Sequence, residues 1–99
     1  MAYRLTLSAR AVREIGEAYE WYEEQVPGLG HDLIEMLEAL FELIAGSPGL
    51  YAETQRGVRR ALLSRFPYGV FYATKGDIVS VLGVVHTSRD PRRWPRRLS

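Results

Sequence analysis

Residues 78–85 read Ile78-Val79-Ser80-Val81-Leu82-Gly83-Val84-Val85, a run with apolar side chains at both even and odd positions. A strand that is apolar on both faces normally lies inside a sheet, with neighbours on either side. Just upstream, Lys75-Gly76-Asp77 is a turn signal, and Gly69 to Thr74 forms a second strand-like run. The two therefore pair as a hairpin, with Asp77 to Val85 as its second arm. Val58 to Phe66 supplies a third strand. Residues 47–57, with Pro48, Gly49 and Gly57, read as loop.

The first half of the chain follows a different period. Tyr3 to Leu7 alternates as a short strand, and Ser8 is placed to cap a helix. Val12, Ile15, Tyr19, Tyr22 and Val26 then recur at helical steps, which predicts a helix over about residues 9–25. Its other face carries glutamates, read as solvated. Pro27-Gly28-Leu29-Gly30 breaks it, and a second helix is expected over about residues 31–45. Leu33, Ile34, Leu37, Leu40, Phe41 and Ile44 form its stripe, and Gly46 and Pro48 stop it. Two helices joined this closely pack as an antiparallel hairpin. The expected fold is a single α+β domain in the order β-α-α-β-β-β. The helical hairpin covers one face of a small, mainly antiparallel sheet, and a basic tail follows from about residue 89.

Composition sets limits on chemistry. Ninety-nine residues, 46% hydrophobic and 25% charged, suffice for one globular core. Without cysteine there can be no disulfide and no thiolate metal site. His31 and His86 lack metal-ligand spacing, so neither metal nor cofactor is expected. No signal peptide or membrane span is read, and a cytoplasmic location is the expectation. The net charge of +1 conceals a division: Glu14 to Gln55 carries ten acids and no Lys or Arg, whereas Arg56 onward sums to +8. The basic half offers a surface for a polyanion or an acidic partner; alternatively, the two halves neutralise each other across the fold.

Three groups of residues can carry function. Arg65, His86 and Arg89 are expected near strand ends. An imidazole with nearby guanidinium groups is the minimum set for RNA cleavage, or equally a surface histidine among solvated arginines. Arg92, Arg93, Arg96 and Arg97 surround Trp94. They can bind phosphates and stack a base, meet an acidic protein tail, or form a disordered basic end. Among the aromatics, Tyr19 and Tyr22 belong to the helical stripe, while Trp21 falls off it and is available to a partner.

Several segments in order resemble a known family. Leu7-Ser8-Ala9-Arg10-Ala11 leads into Tyr19-Glu20-Trp21-Tyr22, then Pro27-Gly28-Leu29-Gly30 and Ile44-Ala45-Gly46-Ser47-Pro48. Arg59-Arg60 and Arg65-Phe66-Pro67-Tyr68-Gly69-Val70-Phe71-Tyr72 follow, and Val81 to Pro91 with Trp94 completes the set. This order resembles the ParE/RelE superfamily of type II toxins, often labelled plasmid stabilisation proteins. The Arg-Phe-Pro-Tyr and His-x-x-Arg-Asp-Pro segments are its most specific parts.

The resemblance implies a toxin whose cognate antitoxin, ParD-like or RelB-like, wraps it in a hetero-oligomer. RelE-like members cleave messenger RNA on the ribosome, and ParE-like members inhibit DNA gyrase. The nucleases usually carry an arginine before the apolar–apolar–Tyr segment, where this chain has Gly69. They also tend to use a late tyrosine, and none follows Tyr72 here. The expectation is therefore a ParE-like gyrase inhibitor that acts by binding. A RelE-like ribonuclease using Arg65, His86 and Arg89, or a non-toxic antitoxin-binding member, is the alternative. Arg65, His86, Arg89, Arg93 and Trp94 are the candidates for toxicity or target binding, and Arg59, Arg60 and Trp21 for the antitoxin.

Overall fold

The computed structural model describes residues 3–88. In chain order the elements are β1 (Arg4–Leu7), α1 (Ala9–Gln25), α2 (Leu29–Gly46), a 3-10 turn (Pro48–Leu50), β2 (Glu53–Gln55), β3 (Val58–Leu62), β4 (Tyr68–Lys75) and β5 (Ile78–His86). The sheet order is β1-β5-β4-β3-β2. β1 runs parallel to β5 and every other pair is antiparallel. β5 thus lies between two neighbours, as its two-sided apolar pattern requires, and the helical hairpin covers one face of the sheet.

The start of α1 is fixed by Ser8, whose hydroxyl accepts the Ala11 N–H at 3.0 Å and donates to the Leu82 carbonyl at 3.1 Å. Such a cap contributes about 1 kcal/mol. The buried face of α1 matches the expected stripe in part: Ile15 and Tyr22 pack against the core. Ala11 and Ala18 are its buried residues, whereas Val12 and Val26 are each more than half exposed. Small side chains let the helix lie close to the sheet, so the larger valines fall at the margin.

α2 begins two residues earlier than expected, at Leu29. Gly28 takes a positive φ of 91° at its N-cap, a conformation open to glycine at little cost. Gly30 lies inside the helix because it meets α1 there: a Cβ on it would stand 2.7 Å from the Tyr19 carbonyl oxygen. The Glu23 carboxylate caps this helix start from α1, accepting the N–H groups of Gly28 at 3.1 Å and Gly30 at 2.8 Å. These bonds, the Gly28 bond foremost, hold its carboxyl below the usual glutamate range. The α1 glutamates are therefore not all solvated: Glu23 binds the hairpin together, and Glu14 binds α1 to β5.

The core lies between the hairpin and the sheet, with Leu33, Leu37 and Ile44 of α2 against Val70, Tyr72, Val79 and Val81. Tyr72 is wholly buried, and its hydroxyl donates to the Pro48 carbonyl at 2.5 Å. Burial pushes that phenol up to about 12. This bond anchors the 3-10 turn, where only loop was expected. β2 was also unexpected: it is three residues long, pairs with β3 through an irregular register, and has no apolar alternation to announce it.

The third expected strand stops at Leu62 rather than Phe66. Leu63 and Phe66 are both buried in the core. Residues three apart point to opposite faces of a strand, so burying both requires the bend that residues 64–67 form.

Candidate functional site

The orientation of His86 depends on a bulge in β5. In the β4–β5 ladder Phe71 faces Gly83 and Tyr72 faces Val81, which leaves Leu82 as an extra residue. Before the bulge, odd-numbered residues Val79 and Val81 face the helices; after it, Val84 does. His86 shares that parity and packs edge-on against Tyr68, its direct partner on β4, with ring centroids 5.2 Å apart. Were Leu82 accommodated by regular alternation from Val81 instead of by the bulge, the imidazole would point to the opposite face. Its Nδ1 accepts the Ser88 N–H at 3.2 Å, so the proton of the neutral ring sits on Nε2.

His86 lines a cleft of 310 Å³ between α1 and the end of β5. Glu14, Glu17, Trp21 and Tyr22 form its helical side, and Val84 and Tyr68 complete the wall. Two carboxylates and four aromatic or imidazole rings thus face this space, with no described Lys or Arg among the lining residues. The Tyr22 phenol is raised above its ordinary value by burial. Glu14 bridges the two walls: one oxygen accepts the Val84 N–H at 2.9 Å and the other pairs with Arg10 at 3.1 Å.

Arg65 sits outside a strand, in the bend between β3 and β4. Its guanidinium lies 3.6 Å from the Asp32 carboxylate and 5.4 Å from the centre of the Phe66 ring. Phe66 meets Tyr22 edge-on, Tyr22 meets Tyr68, and Tyr68 meets His86. An aromatic chain therefore joins Arg65 and His86 along one side of the molecule. Trp21 lies beside it, 54% exposed and edge-on to Tyr22 at 4.9 Å.

Arg59 and Arg60 do not form one patch. Arg59 is paired with Tyr72, on the helix side of the sheet, and donates to the Tyr51 carbonyl with Glu53 nearby at 3.7 Å. Arg60 is paired with Phe71, on the opposite face. There its methylene stem passes over Gly69, 3.5 Å from where a Cβ would be, while the Phe71 ring lies 3.3 Å away. Gly69 is paired with Val85, which belongs to the small apolar cluster on this second face with Val58 and Phe71. A side chain at position 69 would thus emerge on the face that His86 does not share. Arg89, Arg93 and Trp94, with the other tail arginines, lie outside the described residues.

Sequence reasoning missed Glu14 and Glu23, because an exposed glutamate and one that accepts a distant backbone N–H have the same helical spacing. Among the described residues no group of side chains is arranged to hold a metal ion, and no helix is long and apolar enough to cross a membrane.

A family model described as the ParE toxin of the type II toxin–antitoxin system parDE matches residues 5–91. No curated protein sequence matches the chain. Among solved structures, a chain of the chromosomal ParDE toxin–antitoxin system from P. aeruginosa is similar in fold, with a TM-score of 0.78 at 16% identity. The match covers 88% of this chain and 98% of that one.

Proposed function

Because the chain belongs to the ParE toxin family of type II toxin–antitoxin systems, we propose that it inhibits DNA gyrase by binding and that a cognate antitoxin neutralises it. The observation that carries this reading is the lining of the His86 cleft. A ribonuclease needs cations around its general base to hold the scissile phosphate as charge develops. Here the described lining supplies no cation; Glu14 is already paired with Arg10, and the Glu17 carboxylate repels a phosphate. Arg65 is engaged with Asp32 and Phe66, and position 69 carries no charge and faces away. Such a surface suits contact with a protein better than cleavage of RNA.

In this reading the toxin acts in the cytoplasm, where its target is, and the antitoxin forms a hetero-oligomer with it. Arg65, His86 and Trp21 lie along the side under which the buried aromatic chain runs, and they are the described candidates for partner contacts. Arg59, with its guanidinium turned into the loop after α2, has a supporting role.

The test in cells is induction of the toxin without antitoxin. The expected result is a DNA-damage response with messenger RNA left intact. Rapid mRNA cleavage that is lost in His86→Ala would instead assign the chain to the ribonuclease branch.

A further inference from the structure

β1 ends where Leu7 faces Val81. From Leu82 onward the outer edge of β5 has no strand beside it among the described residues. Hydrogen-bonding groups alternate between the two edges of a strand. Val84 directs its N–H outward to Glu14, so its carbonyl, and the N–H and carbonyl of His86, face outward as well. Thr87 donates its N–H to the Pro67 carbonyl on the β4 side, so by the same alternation the His86 N–H lies on the outer edge. These groups open into the cleft beside Glu17 and Trp21. Glu17 lines the cleft from α1 and forms no ion pair with a described residue.

We propose that the edge of β5 beyond the Glu14 bond, from the Val84 carbonyl to the N–H and carbonyl of His86, takes an extended segment of the antitoxin with basic residues at alternate positions, resting on the toxin reading above. An unpaired strand edge is a template for one more strand. The added segment would continue the line that β1 leaves at Ser8, where the chain turns into α1. Side chains along a strand alternate between faces, so one set would point towards Glu17 and Trp21. The negative charge there selects Lys or Arg, and the exposed Trp21 ring gives their stems and charges a surface to lie on. The α1 side of the cleft therefore calls for antitoxin cations, in contrast to the carboxylates that would suit the arginines of the C-terminal half.

The experiment uses the full chain with Trp94→Phe, which leaves Trp21 as the reporter tryptophan. The probes are three short synthetic peptides: alternating Arg and Val, alternating Glu and Val, and the Arg–Val peptide N-methylated at alternate amides. The Arg–Val peptide is expected to shift Trp21 emission and to protect the His86 amide from hydrogen exchange. Glu17→Gln should weaken its binding about 2- to 5-fold, the range of an exposed ion pair. N-methylation should weaken it roughly 5-fold or more by removing edge hydrogen bonds. Equal binding of the Glu–Val peptide, or indifference to both changes, overturns the proposal. So does a His86 amide already protected in the free chain: release on truncation after Ser88 would give the edge to the chain's own C-terminal segment, and release on dilution to a second copy. Toxicity is scored separately in the chain that keeps Trp94, since Trp94 is itself a candidate for target binding. A toxic chain that ignores the Arg–Val peptide removes the edge assignment and leaves the toxin reading, whereas a chain that binds it without toxicity does the reverse.

Discussion

The Glu14 carboxylate accepts the Val84 N–H at 2.9 Å, so a helix side chain occupies a position on the edge of β5 that a neighbouring strand would otherwise fill. One glutamate thereby ties α1 to the sheet and blunts part of an exposed strand edge. Its second oxygen holds Arg10, one helical turn earlier.

Glu14→Ala should therefore cost more than a surface substitution. It leaves the Val84 N–H without its acceptor, a loss of about 1–3 kcal/mol for a hydrogen bond to a charged group. Glu14→Gln keeps an acceptor oxygen and should lose less than about half of that. Urea denaturation at neutral pH measures both. Equal midpoints for Glu14→Ala and the parent chain would show that the bond contributes nothing.

Glu23 gives the fold a defined acid sensitivity. Its folded pKa lies below the unfolded one because its carboxylate accepts the Gly28 and Gly30 N–H groups. The unfolded state therefore takes up the proton first on acidification. The contribution is complete above the ordinary glutamate value of about 4.3 and disappears as pH falls through the lowered value. The parent chain should be more stable than Glu23→Gln at pH 7, and the gap should close in strong acid. A gap independent of pH would contradict the assignment.

Two glycines in the helices should respond oppositely to alanine. Gly16 has open space where a Cβ would be, so Gly16→Ala should stabilise α1 by about 0.5–1 kcal/mol. At Gly30 the Cβ would stand 2.7 Å from the Tyr19 backbone oxygen and 2.8 Å from its ring. Overpacking of this kind costs about 1–3 kcal/mol, which outweighs the propensity gain. Thermal melts of the two variants should shift in opposite directions, and a stabilised Gly30→Ala would refute the close helix contact.

Much of the fold was legible because its signals are local. Ser8 and the Pro27-Gly28 break mark helix ends by their own chemistry, and the Lys75-Gly76-Asp77 turn marks a hairpin. What remained hidden depends on contacts distant in sequence. The Leu82 bulge is invisible in a run of apolar residues, yet it sets which face His86 joins. Arg59 and Arg60 are adjacent in sequence and therefore looked like one patch, but strand alternation sends them to opposite faces. Arg65 and His86 were individually readable as polar residues near strand ends; the rings of Phe66, Tyr22 and Tyr68 between them were not.

Gly69 offers a check on the proposal that the toxin acts by binding and not by RNA cleavage. Gly69→Arg restores the residue type found in the nucleases, but on the face occupied by the Arg60 stem and Phe71. Displacing them should cost about 1 kcal/mol or more, with no gain of mRNA cleavage in a translation extract. Cleavage acquired by this variant would show that position 69 reaches the reactive site after all.

Inhibition of gyrase by binding is the proposed action of the toxin. The most direct measurement is supercoiling by purified gyrase in the presence of the purified toxin, with and without an antitoxin from a neighbouring gene. Supercoiling is expected to fall as toxin is added and to return when the antitoxin is supplied. Full supercoiling at saturating toxin, from a preparation that still arrests growth when expressed, would contradict it.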